Sequence, residues 1–134
     1  MILVDAGPLV AAIHRHDRNH ERCVEVMRAQ PGPAATAWPV VTEALYLLRF
    51  SWEAQDALWD LMARGALRLL PLDLTDVPRL RQLMQKYQDL PMDLADAALV
   101  RIAEREGIRR IFTLGRQDLN LYRPTGIGRF EIIP

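Results

Sequence analysis

The chain has 134 residues, half of them hydrophobic, and its 17 basic side chains balance 17 acidic ones. This length and composition predict one domain over residues 1–134, large enough to bury a core of its own. The balanced charge excludes a protein that binds nucleic acid through its net charge, so any such surface depends on local charge.

The cysteine count and the apolar runs indicate the compartment. Cys23 is the only cysteine, which excludes an internal disulfide and a cysteine-based zinc site and fits a reducing cytoplasm. His14, His16 and His20 have no further ligand nearby to complete a zinc site, and they favour a solvated loop. Because Asp5 interrupts the first apolar run and no stretch approaches the length of a membrane span, we expect a cytoplasmic protein without membrane contact.

Strands and helices alternate in the first half of the chain. The continuously apolar run 1–4 predicts a strand buried on both faces, and residues 5–8 turn the chain at its end. A polar loop then enters a helix that continues through Arg28. Residues 34–37 predict a second strand. Trp38 and Pro39 begin a helix whose inward-facing residues are Val40, Ala44, Leu47 and Leu48.

The second half continues the alternation. A helix opens at Ser51 and ends near Gly65, residues 67–72 predict the third strand, and a helix from near Val77 follows, with turn and cap residues Asp73 and Asp76. The central helix spans residues 91–107. Residues 109–114 then form a strand with an exit turn at 115–118, and residues 129–133 form an edge strand. The alternation predicts an α/β fold, a three-layer α/β/α sandwich around a mostly parallel sheet with right-handed crossovers.

Acidic residues recur at apolar positions of this pattern. Asp5 closes the first strand, Glu43 lies inside an apolar helix, and Asp93 and Asp96 project from the first turn of the central helix. Ordinary alternatives exist, because Asp5 and Asp93 also suit helix caps and Glu43 also suits a solvent-facing position. Several acids that are far apart in sequence and each embedded in core-type residues indicate a site for a hard cation, assembled by folding.

Other phosphate-chemistry motifs are absent from the sequence. It contains neither a GxGxxG motif nor a Walker A loop, which disfavours a nucleotide cofactor. A receiver domain requires paired acids after the first strand and a lysine after a late one, whereas this chain has Asp5 alone and Lys86 as its only lysine. A haloacid-dehalogenase-type phosphatase requires Asp-x-Asp, and Gly7 occupies the second position.

Four segments, in this order and spacing, resemble a PIN domain and more narrowly the single-domain toxins of VapC type: residues 4–9, 42–43, 91–97 and 111–114. The resemblance extends over essentially the whole chain. It implies a metal-dependent endoribonuclease that hydrolyses RNA phosphodiester bonds at an acidic cluster holding Mg²⁺ or Mn²⁺. It also implies a homodimer that a cognate antitoxin protein neutralises.

The same resemblance implies roles for individual residues. Asp5, Glu43 and Asp96 match the family's metal-binding acids, and Asp93, one helical step before Asp96, is a helper. Thr113 matches the hydroxyl of a Thr-x-Asp pattern, but Gly115 stands where the pattern has its acid.

Asp118 matches the acid that follows in the family's turn and is a candidate substitute for the missing one. The departure at Gly115 leaves a second hypothesis open. In it, the chain is a catalytically degenerate PIN-like protein that acts by binding RNA or a protein partner.

Overall fold

The computed structural model describes residues 1–134, with the exception of the Arg116 side chain. Five strands form: β1 (Ile2–Val4), β2 (Ala34–Thr36), β3 (Leu67–Leu69), β4 (Arg110–Phe112) and β5 (Glu131–Ile133). Seven α-helices accompany them: α1 (Ala6–Ile13), α2 (His20–Ala29), α3 (Trp38–Leu47), α4 (Trp52–Ala63), α5 (Val77–Lys86), α6 (Leu94–Glu106) and α7 (Arg116–Leu121). A 3₁₀ turn over Leu74–Asp76 leads into α5. No helix among the described residues is both long and apolar enough to span a membrane.

The strands form one parallel sheet in the order β3-β2-β1-β4-β5. The central strand β1 pairs on both sides, with Leu3 opposite Ala35 of β2 and Ile111 of β4. Side chains of a strand alternate between the two faces of its sheet, and Ile2, Leu3 and Val4 are all buried, so helices cover both faces. The predicted three-layer α/β fold is therefore confirmed, and β5 is an edge strand as expected.

The strand order places a crevice beside β1. From β1 the chain proceeds outward through β2 to β3, then returns to the other side of β1 and builds β4 and β5. In such sheets, ligands bind beyond the carboxyl ends of the strands at the point where the order reverses. Here that point lies between β1 and β4. Asp5 directly follows β1 and Thr113 directly follows β4, so both residues stand at the crevice.

Two predicted turns are helical instead. Helix α1 begins at Ala6, where a turn over residues 5–8 was expected, because the Asp5 carboxylate accepts the Ala6 N–H and a proline is tolerated in a first helical turn. The expected exit turn at 115–118 is the start of α7. In α3, Leu47 is exposed rather than inward, because it lies at the edge of a buried stripe formed by Val40, Val41, Ala44 and Leu48.

Helix α6 is the buried helix that the sequence predicts. Its bounds are narrower than residues 91–107, because Asp93 caps its first turn and Gly107 adopts a left-handed conformation, with φ of 68°, just past its end. Leu99, Val100, Ile102 and Ala103 on this helix are fully buried, and its neighbours are α3 and α5. The core therefore fixes the helix start that carries Asp93 and Asp96.

Asp76 anchors the far part of α6. It forms the predicted cap, accepting the Asp73 N–H at 2.9 Å, and it also binds two guanidiniums of α6, Arg101 at 2.7 Å and Arg105 at 3.0 Å. Burial raises the pKa of Asp76, but the Asp73 N–H and these two arginines outweigh it and lower the pKa overall. Asp76 has an exposed fraction of 1%, and the backbone N–H and the two guanidiniums compensate for the loss of water around its charge.

We predict that Asp76→Ala lowers the free energy of unfolding by about 3 kcal/mol, since removing the carboxylate leaves Arg101 without its ion pair at a largely buried site and leaves Arg105 only its more exposed pair with Glu106. Asp60→Ala is the matched control, because its ion pair with Arg64 is exposed and is expected to contribute less than about 1 kcal/mol. Urea unfolding at pH 7 measures both values. Equal destabilisation by the two substitutions would contradict the structural role of Asp76.

Candidate active site

Asp5 and Thr113 connect the ends of the two central strands. The Thr113 hydroxyl donates to Asp5 Oδ2 at 2.9 Å, while Asp5 Oδ1 accepts the Ala6 N–H at 2.8 Å. Thr113 Oγ1 in turn accepts the Gly115 N–H at 3.0 Å. Thr113 is fully buried and Asp5 is half-buried, so the orientation of this carboxylate is fixed from both sides.

The start of α6 contributes two further acids. Asp93 Oδ1 accepts the Asp96 N–H at 2.9 Å. Asp93 therefore caps the helix, which is the ordinary alternative that the sequence offered for it. Asp96 is half-buried and accepts a hydrogen bond from the Tyr122 hydroxyl at 3.1 Å on Oδ2. Asp93 is exposed. The capping role and a place in the acidic cluster are therefore compatible.

Glu43 and Asp118 complete the set of acids. Glu43 is exposed, so the expectation that its apolar neighbours bury it is wrong: it lies outside the buried stripe of α3. It still belongs to the cluster, because partial burial and then the charges of Asp5 and Asp93 raise its pKa. Asp118 is half-buried on α7, and its negative charge acts on Asp5.

Burial and the neighbouring acids also raise the pKa of Asp5 and Asp96. Burial is the largest cause that raises the pKa of Asp5, and the charges of Asp93 and Asp118 add to it. Burial, followed by the charges of Asp93 and Asp5, raises the pKa of Asp96 to about 7. Among the described side chains, no lysine, arginine or histidine forms an ion pair with any of the five acids. Among the side chains that the structure describes, these acids are therefore compensated only by hydrogen-bond donors without charge.

An open groove of about 660 Å³ gives access to the cluster. Its lining includes Glu43 and Asp93 together with the aromatic side chains of Trp38 and Tyr46. A ligand in this groove would contact two of the acids from the solvent side. The residues of the described chain contain no group of three or more acidic, histidine or cysteine side chains that is arranged closely enough to hold a metal ion without rearrangement.

The structure also corrects the sequence interpretation of other side chains. Tyr122 was not singled out, although its hydroxyl contacts Asp96, because no local pattern predicts a contact between residues 26 positions apart. Arg101 and Arg105 of α6 are bound to Asp76 and so do not supply the local positive charge on which a nucleic-acid surface would depend. Arg109 donates to the Arg129 carbonyl oxygen.

Comparison with known proteins identifies the class that this fold and site define. The PIN domain family model matches residues 2–123, and the chain belongs to that family. Within the curated proteins it is 30% identical over 135 residues to Ribonuclease VapC26 of Mycobacterium tuberculosis, an alignment that covers 99% of this chain and 100% of that relative. The resemblance to VapC-type proteins stated from the motifs is thereby confirmed.

Solved structures show the same fold at lower identity. VapC20 of Mycobacterium tuberculosis, described as a sarcin-ricin loop cleaving toxin, superposes with a TM-score of 0.76 at 18% identity, over 83% of this chain and 87% of that one. VapBC2 from Rickettsia felis, solved with a promoter DNA fragment, gives 0.69 at 16% identity over 100% of both chains. A toxin–antitoxin complex from Klebsiella pneumoniae gives 0.68 at 16% identity, over 100% of this chain and 97% of that one.

We predict that Asp96→Asn stabilises the metal-free protein at pH 8. Asp96 binds its proton more tightly in the folded state, with a pKa of about 7, than its ordinary value of 3.8 allows in the unfolded chain, so stability falls as pH rises from about 4 to 7. After allowance for the partial exposure of Asp96, the expected gain at pH 8 is about 1–2 kcal/mol.

Thermal unfolding in the presence of a chelator at pH 8 and at pH 5 measures this effect. The gain should shrink at pH 5, where the wild-type carboxyl is largely protonated. Asp89→Asn, at an exposed position outside the cluster, is the control for removing a negative charge in general. An Asp96→Asn protein that is no more stable than wild type at pH 8 would show that this charge is not strained in the fold.

Proposed function

We propose that this chain, as one PIN-like domain, is a divalent-metal-dependent endoribonuclease of VapC type. The observation that carries the proposal is the convergence of five acids at the reversal point of a parallel sheet, where burial first, and then the charges of neighbouring acids, raise the pKa of Asp5, Glu43 and Asp96. Membership of the PIN family and the likeness to a ribonuclease over the whole chain support the same activity. RNA is accordingly the proposed substrate.

The chemistry of the donors fits Mg²⁺ or Mn²⁺. The available groups are carboxylate oxygens, which hard divalent cations prefer, and their mutual repulsion is relieved when a cation binds. Magnesium is usually held by one or two carboxylates, with water and substrate phosphate completing its coordination, so a preassembled group of three ligands is not required. We propose that Asp5, Asp96 and Glu43 hold the ion, directly or through water.

A divalent cation at this position supplies charge neutralisation for the phosphodiester and acidifies water for its hydrolysis. The chain's own residues prepare the site in the absence of the ion. Thr113 and Ala6 fix the carboxylate of Asp5, so one arrangement of that group is selected before any ligand enters. Glu43 and Asp93 are exposed at the groove, where Asp93 still caps α6 through one of its oxygens.

Asp93 and Asp118 are the proposed groups that orient the attacking water and accept its proton. Both carry charge beside Asp5, yet neither has the double anchoring that Asp5 has. Their position at the edge of the cluster suits a general base, which must reach the proton that it removes. Asp118 then supplies the negative charge that Gly115 does not provide.

Partners follow from the same family relationship. We propose that a cognate antitoxin protein binds the chain, supported by the presence of toxin–antitoxin complexes among the proteins with this fold. We also propose that the protein forms a homodimer in the cytoplasm. The competing hypothesis of a degenerate PIN-like protein that acts only through binding rests on Gly115, and the two experiments below separate it from the enzyme.

We predict that Asp5→Asn abolishes Mn²⁺-dependent cleavage of single-stranded RNA, with a loss of at least about 100-fold, while the fold is preserved. The amide keeps the shape of the side chain but removes the negative charge at the most firmly oriented acid. Calorimetric titration of Mn²⁺, with Asp89→Asn as control, accompanies the cleavage assay. Unchanged cleavage by purified Asp5→Asn protein would refute the assignment of the site.

We predict that Gly115→Asp strengthens Mn²⁺ binding several-fold. Gly115 has a φ of −85°, which any residue adopts, and an added Cβ meets only Thr113 Oγ1 at 3.6 Å, so neither the backbone nor the Cβ opposes an aspartate here. Gly115→Asn is the neutral control of the same size. Binding by wild type shows that the site works without an acid at position 115. Binding by Gly115→Asp alone would instead identify the natural protein as a non-catalytic relative.

A further inference from the structure

We infer that Tyr122 is a positioning residue for Asp96, and this inference rests on the proposed function. Tyr122 lies just after α7 and is fully buried. Its hydroxyl donates to Asp96 Oδ2 at 3.1 Å, across 26 positions of sequence. A buried hydroxyl pointed at a carboxylate that belongs to an acidic cluster selects one orientation of that carboxylate.

The Tyr122 ring is itself held firmly. Its centroid lies 5.0 Å from that of Tyr87, with the two planes inclined by 60°, a geometry that aromatic pairs favour. The Tyr87 hydroxyl accepts the Arg123 N–H at 2.9 Å. The packing of the two rings, which a phenylalanine at position 87 keeps, holds the Tyr122 hydroxyl toward Asp96.

The chemical nature of this donor matters for the site. An arginine or lysine beside Asp96 would neutralise the carboxylate, whereas a tyrosine hydroxyl restrains one oxygen and leaves the negative charge available to a cation. Thr113 does the same for Asp5 at 2.9 Å. Asp5 and Asp96 therefore each have one oxygen held by a buried neutral hydroxyl.

These two hydroxyls flank the same helix. Thr113 precedes α7 and Tyr122 follows it, so both ends of the segment that carries Asp118 are fastened to acids from other elements. Loss of the Tyr122 hydroxyl would release Asp96 and loosen the attachment of α7 together. Partners that orient metal-binding groups typically contribute 10–100-fold to metal affinity or activity.

The test compares Tyr122→Phe with Tyr87→Phe, which removes the hydroxyl of the other ring in the pair but none that contacts an acid. In the metal-free protein, three-bond NMR couplings of Asp96 report the populations of its side-chain rotamers. We expect one dominant rotamer in wild type and Tyr87→Phe, and averaging over several in Tyr122→Phe. Identical couplings in all three proteins would overturn the inference, whether or not the wild type is active.

Manganese titration and RNA cleavage then measure the consequence. We expect Tyr122→Phe to weaken Mn²⁺ binding and lower kcat, each by about 10-fold, with a KM for single-stranded RNA close to that of wild type. A purely structural hydroxyl would lower Tm and leave kcat and Mn²⁺ affinity unchanged, and that result contradicts the inference. Wild type that neither binds Mn²⁺ nor cleaves RNA would instead refute the proposed function, while the rotamer measurement still decides the role of Tyr122.

Discussion

The partial burial of carboxylates that raise one another's pKa is the constraint on which the rest of this structure depends. Burial, and then the charges of neighbouring acids, oppose ionisation in the folded chain, and the raised pKa of Asp96 records that cost. The fold offsets the cost with a fully buried central strand and a buried helix α6, which hold the acids in place. A cation would stabilise such a site. The same partly buried carboxylates therefore account for its unfavourable electrostatics and for its proposed function.

The ends of helices make the arrangement possible. Asp5 and Asp93 cap α1 and α6, and Asp96 and Asp118 lie in the first turns of α6 and α7. A helix N-terminus carries partial positive charge and free N–H groups, which stabilise an adjacent carboxylate by about 0.3–1 kcal/mol. The role of these acids at helix N-termini is therefore compatible with a functional cluster. The N–H groups and partial positive charge of each helix start stabilise carboxylates that lie near one another.

The arginines of α6 do not neutralise the acids of the candidate site. Arg101 and Arg105 are bound to Asp76, away from the helix start that carries Asp96. Asp76 and Asp96 are both removed from water to a large degree, yet the pKa of the first is lowered and that of the second is raised. The difference lies in the partners, because Asp76 has two guanidiniums and Asp96 has a neutral hydroxyl. The first arrangement stabilises the protein, and the second leaves a charge available for chemistry.

The fold could be predicted from the sequence where local patterns were strong. The apolar run of β1, the stripe of α6 and the cap and glycine at its two ends are each contained in a short segment, and the predicted elements match the structure. Residues 5–8 and the exposure of Glu43 were misjudged, since a capping hydrogen bond and the edge of a buried stripe decide them. Tyr122 depends on a contact that only the folded chain creates. The acids and the Thr113 hydroxyl could be named from the sequence and its family resemblance, but the Tyr122 hydroxyl could not.

Gly115 departs from the Thr-x-Asp pattern of the family at a position where the fold does not require glycine. Neither its φ of −85° nor its surroundings require glycine, since an added Cβ would meet only the Thr113 hydroxyl at an ordinary contact distance. The missing acid is therefore no consequence of packing. The Gly115 N–H instead binds Thr113, which holds Asp5, and α7 starts at the next residue and brings Asp118 within electrostatic reach of Asp5. The backbone at this position thus takes part in orienting Asp5, and the nearest acid after it in the chain, Asp118, lies three residues further on.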